Sequence, residues 1–351
     1  AIVCGALVGL IHTAQGGIYW YNAGVHYVAM HGFFMLLLAG VISLYYVKNK
    51  AAIVCLVLWS MLGALLVSGS NYVTSLQGIL MLATVLALWL LCRSKRCFLL
   101  LPCLAVYGYG FYKNIIAPGN NVRKTIFEAS GTGMDAVSAV IHSFQTGLVR
   151  LFTFGGWMMF FVLILVIPFF WNLAVKTSFC PKLPGLVSLY SFCFYCTGFT
   201  SSFYSMGTEG LGRTLNAVKF TYQLLLLFNE LYWICWIAKR QKIHRACPLR
   251  WWFFPLIGGI AAFYVLHVTD PAGTFLPYGA YYYVHTGQAY NFHSEYLERV
   301  ETIKSGGDVV EVTPYLYRPW FLSSGELSED YTYEPNVAMA NWYGKIAIIC
   351  K

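Results

Sequence analysis

The chain has 351 residues, of which 58% are hydrophobic, 18% aromatic and only 11% charged, and its mean hydropathy is +0.61. Soluble globular domains carry about 25% charged residues, so this composition excludes an ordinary soluble protein and predicts a polytopic membrane protein. Ten of the 14 acidic residues lie from Asp270 onward, whereas 18 of the 23 basic residues precede it. We therefore expect a basic membrane body followed by an acidic, water-facing tail.

The chain begins with a short apolar segment, residues 1–11. It is too short to cross a hydrocarbon core of about 30 Å, and we interpret it as the end of a span whose start lies outside this sequence. A polar and aromatic loop, Thr13 to Tyr27, follows it. Tyr19, Trp20 and Tyr21 in this loop have the composition of an interfacial aromatic belt.

Apolar runs between short polar or basic segments predict about eight full transmembrane helices after this stub. They cover approximately residues 26–47, 51–69, 73–92, 97–112, 148–173, 184–203, 214–238 and 251–268. The connector before the fifth run mixes polar and apolar residues, and it predicts interfacial helices around residues 120–147. The fold class is therefore an all-α polytopic membrane bundle over residues 1–268.

Residues 269–351 predict a small α/β domain. Apolar and aromatic residues recur with helical spacing from Gln288 to Ile303, and two glycines at 306 and 307 end that helix. The sequence DVVEVTPYLY then favours a strand, and a second short helix is expected near Val337 to Tyr343.

The distribution of Lys and Arg predicts the orientation. If the spans alternate, twelve basic residues fall on one face and five on the other before the tail. Cytoplasmic loops are the ones rich in Lys and Arg, so the face with twelve is predicted to be inside. This orientation places the loop 13–27, the connector 113–147, the loop 204–216 and the C-terminal domain outside.

The loop 204–216, YSMGTEGLGRTLN, carries Glu209 and Arg213 four residues apart among three glycines. Two interpretations stay open. The pair can be an interfacial ion pair in a turn. Alternatively, Arg213 holds a phosphate by forked hydrogen bonds while Glu209 orients or deprotonates a hydroxyl, which makes Glu209 the candidate catalytic residue.

Other ionisable residues are open to similar alternatives. Arg123 and Lys124 follow the turn APGN, in which Asn120 can cap a helix, and they contact either lipid headgroups or the phosphate of a lipid-linked donor. Lys219 and Glu230 lie within the seventh predicted span. Burying either charge is costly, so both are expected to face the bundle and find partners there, with a proton or ion pathway as the functional alternative.

The sequence lacks the usual marks of a metal or nucleotide site. Most of the eleven cysteines fall in or at the ends of apolar runs, which argues against a disulfide framework or a zinc site. His26 and His31 are five residues apart, unlike a helical metal pair at i and i+4, and no phosphate loop, nucleophile elbow or HExxH motif occurs. We expect no cofactor, with a divalent cation left open, and no nucleic-acid partner.

Five segments together resemble a family of bacterial polytopic membrane proteins of unknown function that lies among or close to the C-type membrane glycosyltransferases. They are GGIYWYNAGVHY, IAPGNNVR, YSMGTEGLGRTLNAVKF, GQAYNFHSEYLERVETI and EPNVAMANWYGKIAI, and they span nearly the whole chain. The resemblance implies a helical bundle with its site on the outer face of the bacterial cytoplasmic membrane, a polyprenyl-phosphate-linked sugar donor and an extracytoplasmic C-terminal domain. In that class the catalytic aspartate lies in the first outer loop, which would precede Ala1.

The resemblance implies transfer of a lipid-linked sugar to a cell-envelope glycan, with membrane lipids as further partners. Whether this chain is itself an enzyme stays open, and the alternatives are a lipid-linked-sugar translocase or transporter and an envelope assembly scaffold. The residues expected to form the site are Trp20, Asn22, Asn120, Arg123, Glu209, Arg213 and Asn216.

Overall fold

The structure is a computed structural model that describes residues 2–129, 134–242, 245–269, 275–319, 322 and 325–351. Helices account for most of it. They are α1 Ile2–Gly9, α2 Tyr21–Ala23, α3 Met30–Tyr46, α4 Lys50–Ser68, α5 Tyr72–Leu91, α6 Cys97–Ile115, α7 Pro118–Ala129, α8 Ala136–Thr153, α9 Gly156–Lys176, α10 Pro184–Met206, α11 Gly212–Arg240, α12 Phe253–Thr269, α13 Leu276–His285, α14 Gln288–Ser305 and α15 Glu334–Tyr343. Two π-helical turns, Gln15–Tyr19 and Gly24–Ala29, flank α2, and two strands, β1 Val309–Val312 and β2 Ala347–Cys350, lie near the C-terminus.

Within the described ranges, four helices are long and apolar enough to cross a membrane: Tyr21–Tyr46, Lys50–Ser68, Tyr72–Leu91 and Met158–Lys176. A fifth crossing is counted if Cys97–Ile115 and Pro118–Phe127, which are bent by 43° at their junction, form one span. The chain is therefore a multi-pass helical membrane protein. The sequence predicts about eight spans, which is more than the four or five that helix length and composition support in the described residues.

The difference in span number arises in the second half of the bundle. The predicted spans at 184–203, 214–238 and 251–268 do form helices, namely α10, α11 and α12. However, α10 is rich in hydroxyl side chains and α11 carries Lys219 and Glu230, while α12 has only 17 residues. These features keep all three helices out of the set of clearly apolar spans.

Two segments fold differently from their prediction. The region predicted as a loop from Thr13 to Tyr27 is mostly helical, and the first span starts at Tyr21, five residues before the predicted start. The predicted fifth span, 148–173, is interrupted between α8 and α9. Gly156 follows this break with a φ of 55°, a left-handed conformation that glycine adopts without a steric penalty.

The chain divides into two compact units. The first comprises Ala1–Leu7 with Ile11–Ile260, and the second comprises Val8–Leu10 with Ala261–Lys351.

Small residues let the helices of the first unit approach closely. The buried face of α4 consists of Ser60, Gly63, Ala64, Val67 and Ser68. A Cβ added at Gly63 would lie only 3.2 Å from the Cβ of Leu37 on α3. Close packing of small residues is a general source of association between membrane helices, because lipid chains are as apolar as the helix surfaces.

Two apolar clusters form the core of this unit. One joins α3, α4, α5 and α6 through Phe34, Leu37, Val41, Leu44, Ala64, Val67, Leu82, Leu100, Cys103 and Tyr107. The other joins α8, α10 and α11 through Ala139, Tyr195, Cys196, Phe199, Phe203, Leu215, Ala217, Val218 and Tyr222, and it includes Phe154 from the break before α9.

The second unit contains a two-stranded parallel sheet, in which Val309 pairs with Ala347 and Val312 with Cys350. Its core is Ile303, Val310, Val312, Ala340, Ile348 and Cys350. The helix predicted from Gln288 and the strand predicted within DVVEVTPYLY are confirmed as α14 and β1. The partner strand β2 was not predicted from the sequence.

Candidate functional site

A cavity of about 390 Å³ opens in the first unit where several helix ends meet, and we name it the polar cavity. It lies among the start of the first span, the turn between α4 and α5, the end of α6, the start of α7, the end of α10 and the start of α11. Its lining is Trp20, Asn22, Ala23, His26, Tyr27, Gly69, Ser70, Asn71, Tyr72, Val73, Asn114, Asn120, Ser201, Ser202, Ser205, Met206, Arg213 and Thr214.

The charge of this lining is positive. Arg213 is its one Lys or Arg, and no Asp or Glu belongs to the lining that the structure describes. The guanidinium lies over the indole ring of Trp20, with Cζ 5.0 Å from the ring centroid, in a cation–π contact. The N-termini of α5 and α11 also border the cavity, and helix N-termini carry a partial positive charge. The arrangement therefore favours an anionic ligand.

Asparagine side chains hold the wall of the cavity in place. Asn71 caps α5 by accepting from the backbone N–H of Thr74 at 3.0 Å, and its amide donates to the carbonyl oxygen of His26 at 2.6 Å. Asn114 donates to the carbonyl oxygens of Ser68 and Ser70, at 3.1 and 2.7 Å. Three separate chain segments are thus tied together around the opening.

Two kinds of polar group in the lining are available to bind a ligand, namely the amide of Asn22 and the hydroxyls of Ser201 and Ser202. Asn22 is exposed at the rim, and no hydrogen bond from its amide to another described residue is present. Ser201 and Ser202 are buried at 8% and 3% exposure and contribute to the lining from α10. Amides and hydroxyls of this kind are the usual partners of sugar hydroxyl groups, because each can both donate and accept a hydrogen bond.

Glu209 does not line the polar cavity. Arg150 near the end of α8 binds both of its carboxylate oxygens: Nε donates to Oε2 at 2.8 Å, and Nη2 donates to Oε1. The ion-pair interpretation of Glu209 therefore describes its observed contact, but the partner is Arg150 rather than Arg213. This bidentate geometry is the strong form of an arginine–carboxylate pair.

The Arg150–Glu209 pair belongs to a charged cluster around the ring of Phe154. The Arg150 guanidinium lies 5.4 Å from the ring centroid, the Lys219 ammonium 5.9 Å, and the His12 ring 5.5 Å. Burial lowers the pKa of His12 to about 4, with the nearby Lys219 and Arg150 charges acting in the same direction and Glu209 opposing them.

Asn216 on α11 hydrogen-bonds the backbone of the segment that precedes Trp20. It is fully buried, its Oδ1 accepts from the backbone N–H of Thr13 at 2.8 Å, and its Nδ2 donates to the carbonyl oxygen of Thr13 at 3.0 Å. A Cβ at Gly17 would lie 2.8 Å from the same Nδ2, so the chain passes very close to this amide. Asn216 thereby fixes the segment that leads to Trp20.

The structure thus brings four of the seven expected site residues together in one cavity: Trp20, Asn22, Asn120 and Arg213. Asn216 and Glu209 lie outside its lining. Arg123 belongs to α7, and its side chain lies outside the described part of the chain.

Sequence reasoning missed several contributors. Ser70, Asn71 and Tyr72, in the turn SGSNY between α4 and α5, line the cavity, although no site residue was predicted there. Asparagines placed just before or after apolar runs were the available signal. Arg150 gave no comparable signal, because it lies 59 residues from Glu209 in the chain.

Among the described residues, no group of three or more His, Cys, Asp or Glu side chains could hold a metal ion. Comparisons of the chain with protein-family models, with curated proteins and with solved structures find no match.

Proposed function

We propose that the protein is a multi-pass membrane glycosyltransferase of the C-type class. It binds a polyprenyl-phosphate-linked sugar in the polar cavity, on the outer face of a bacterial cytoplasmic membrane, and transfers the sugar to a cell-envelope glycan. The observation that carries this proposal is the pairing of Arg213 with Trp20 in a cavity whose described lining has no carboxylate.

The phosphate and the sugar of such a ligand each have a matching group in the cavity. Arg213 can bind a phosphate through two parallel N–H donors, and no described carboxylate competes for it. Trp20 is 51% exposed and presents an aromatic surface on which a sugar ring can pack. The volume of about 390 Å³ lies within the range of small-ligand sites.

The proposed orientation requires α10 and α11 to cross the membrane together with the four clearly apolar helices. Their lengths support this, because α10 has 23 residues and α11 has 29, and about 20 are enough to cross a hydrocarbon core. With α12 and α6 also spanning, the polar cavity and the C-terminal unit are both assigned to the outer compartment. The excess of Lys and Arg in the opposite loops supports the same assignment.

A second function, translocation of the lipid-linked sugar, is favoured by the chemistry of the cavity. Glycosyl transfer by inversion needs a base, and Arg150 binds both oxygens of the candidate base Glu209. A buried polar pair also lies farther along α5 and α11 than Val73 and Thr214, which line the cavity. Thr221 on α11 lies 2.9 Å from the side-chain oxygen of Gln77 on α5, and both residues are buried.

Equilibrium binding to the purified full chain tests the site. The ligand is a farnesyl-phosphate-linked N-acetylglucosamine, and farnesyl phosphate without sugar and the free sugar phosphate are compared with it. Arg213→Gln is expected to weaken binding by about tenfold to a hundredfold, the effect of losing a hydrogen bond to a charged group.

The matched control for this variant is Arg240→Gln. Arg240 lies at the other end of α11 and stacks over Trp236 at 4.9 Å, nearly the geometry of Arg213 over Trp20. Equal affinities of wild type and Arg213→Gln would remove the proposed site. A loss of the same size in both variants would mean that the effect is not local to the cavity.

Mass spectrometry of lipid-linked sugars separates the two functions in cells that lack the protein. A transferase is expected to leave its lipid-linked donor accumulated on the outer leaflet. A translocase is expected to leave the lipid-linked sugar on the inner leaflet. An assembly scaffold changes neither pool, so that result would contradict both functions.

A further inference from the structure

A second cavity, of about 600 Å³, lies where the chain breaks between α8 and α9, and we name it the α8–α9 groove. The break creates it. Gly156 adopts a left-handed conformation, and Gly155 packs so closely on α11 that an added Cβ would lie 2.8 Å from the hydroxyl of Tyr222. The groove is lined by the end of α8, the two glycines of the break, the start of α9 and the facing side of α11.

The lining of the groove is apolar. Its main side chains are Leu151, Phe152, Met159, Phe160, Leu163 and Leu226. Tyr222 adds its ring, because its hydroxyl already donates to the carbonyl oxygen of Leu151 at 2.7 Å. Met159, Phe160 and Leu163 belong to Met158–Lys176, one of the four clearly apolar helices. Such a surface matches a hydrocarbon chain.

A positive charge lies about one helical turn from the groove lining, at Lys219 on α11. Lys219, Tyr222 and Leu226 are spaced by three and four residues, so they follow one stripe along α11. The Lys219 ammonium lies over Phe154, whose ring centroid is 6.1 Å from that of Tyr222 in the groove wall.

No acidic partner of this charge lies among the residues that the structure describes. No carboxylate of the described chain lies within 4.0 Å of Lys219, and the nearby Glu209 is bound by Arg150 through both oxygens. A half-buried ammonium beside an apolar furrow is best compensated by an anion, because it has lost part of its hydration.

We propose that the α8–α9 groove binds an anionic glycerophospholipid of the surrounding bilayer, with one acyl chain in the groove and the phosphate on Lys219. The stripe from Lys219 to Leu226 is about 10 Å long at 1.5 Å per residue, and it leads from the ammonium of Lys219 to the groove residues Tyr222 and Leu226. An apolar partner helix fits less well, since it would cover Lys219 without supplying a negative charge. The positive charge of Lys219 therefore favours an anionic lipid over an apolar helix as the occupant of the groove.

This site is distinct from the polar cavity, and the two share no lining residue. Arg213 and Lys219 are six residues apart on α11, which places their side chains on different sides of the helix at 3.6 residues per turn. The lipid site therefore stands whether or not the polar cavity binds a lipid-linked sugar.

Native mass spectrometry of the purified full chain tests the proposal, with phosphatidylglycerol and phosphatidylcholine of identical acyl chains added in competition. Wild type is expected to prefer phosphatidylglycerol by about fivefold, the contribution of one lysine to anionic-lipid binding. Lys219→Met keeps most of the aliphatic side chain but removes the charge, and it is expected to abolish the preference.

The matched control is Lys113→Met. The Lys113 ammonium lies 5.7 Å from the ring of Tyr109, a contact similar to that of Lys219 with Phe154, but it lies outside the groove. This variant is expected to keep the preference for phosphatidylglycerol. An unchanged preference in Lys219→Met, or an equal loss in both variants, would overturn the assignment of the phosphate to Lys219.

A second variant tests the acyl-chain part without altering charge. Leu226→Trp fills the groove and is expected to reduce retention of both lipids while the protein remains monodisperse. Unchanged retention would show that the acyl chain does not occupy the groove. Displacement of phosphatidylglycerol by an equimolar polyprenyl phosphate would contradict a glycerophospholipid as occupant. Neither outcome depends on Arg213, so the proposed sugar site is tested separately.

Discussion

Acid is expected to destabilise the first unit through His12. This half-buried histidine lies against Phe154 and faces three charged side chains, Lys219, Arg150 and Glu209. Burial, followed by repulsion from the two cations, lowers its pKa from 6.5 to about 4, and the carboxylate only partly opposes this. The folded protein therefore keeps the ring neutral over a pH range in which the unfolded chain protonates it.

The sign and size of the effect follow from linkage. Between pH 6.5 and 4 the unfolded state binds more protons, so the free energy of unfolding falls as the pH falls through that range. Each unit of pKa difference corresponds to about 1.4 kcal/mol, which gives about 2 kcal/mol at pH 5 before any solvent screening. Because the ring is only half-buried, screening reduces this, and we expect a loss of about 1 to 2 kcal/mol.

The assay compares the unfolding free energies of wild type and His12→Gln, as full chains in detergent, at pH 7.5 and pH 5. The variant is expected to lose about 1 to 2 kcal/mol less than wild type on acidification, because glutamine cannot be protonated in this range. His285→Gln, which alters an exposed histidine of the second unit, should behave like wild type. Identical acid sensitivity of wild type and His12→Gln would refute the reasoning.

Two further predictions concern the Glu209 loop. Glu209→Gln should cost about 1 to 3 kcal/mol of stability, because Arg150 loses its carboxylate, and a double-mutant cycle with Arg150→Gln should show coupling between the two positions. Independent, additive effects would contradict the ion pair. In intact cells, an impermeant maleimide should label Thr208→Cys but not the native exposed Cys180, which lies at the opposite end of α10. The reverse pattern would exclude an outer polar cavity.

The grouping of Trp20, Asn22, Asn120 and Arg213 could be anticipated from the sequence alone. Each of these residues lies beside an apolar run, and alternating spans bring polar connections to the same end of a bundle. Composition and local spacing similarly predicted a multi-pass protein and the helix α14. These features depend on properties of neighbouring residues, which a sequence displays directly.

Which residues contact one another across the fold depended on how the helices and strands pack. The partner of Glu209 is Arg150, not the neighbouring Arg213, because the packing of α8 against α10 brings together residues 59 positions apart. The parallel pairing of β2 with β1 likewise joins Val309 to Ala347, which lie 38 residues apart in the chain.

The sequence by itself determined that this chain is a helical membrane protein with polar residues concentrated at its helix ends. Only the tertiary structure decided that Arg213 faces a cavity whose described lining has no carboxylate. It also decided that Lys219, one helical turn from the apolar groove, has no described carboxylate within 4.0 Å. The physical reason is that the pairing of a charge depends on distances of a few ångströms between helices. Helix periodicity fixes which side of its own helix a residue occupies, but it does not fix which neighbour that side meets.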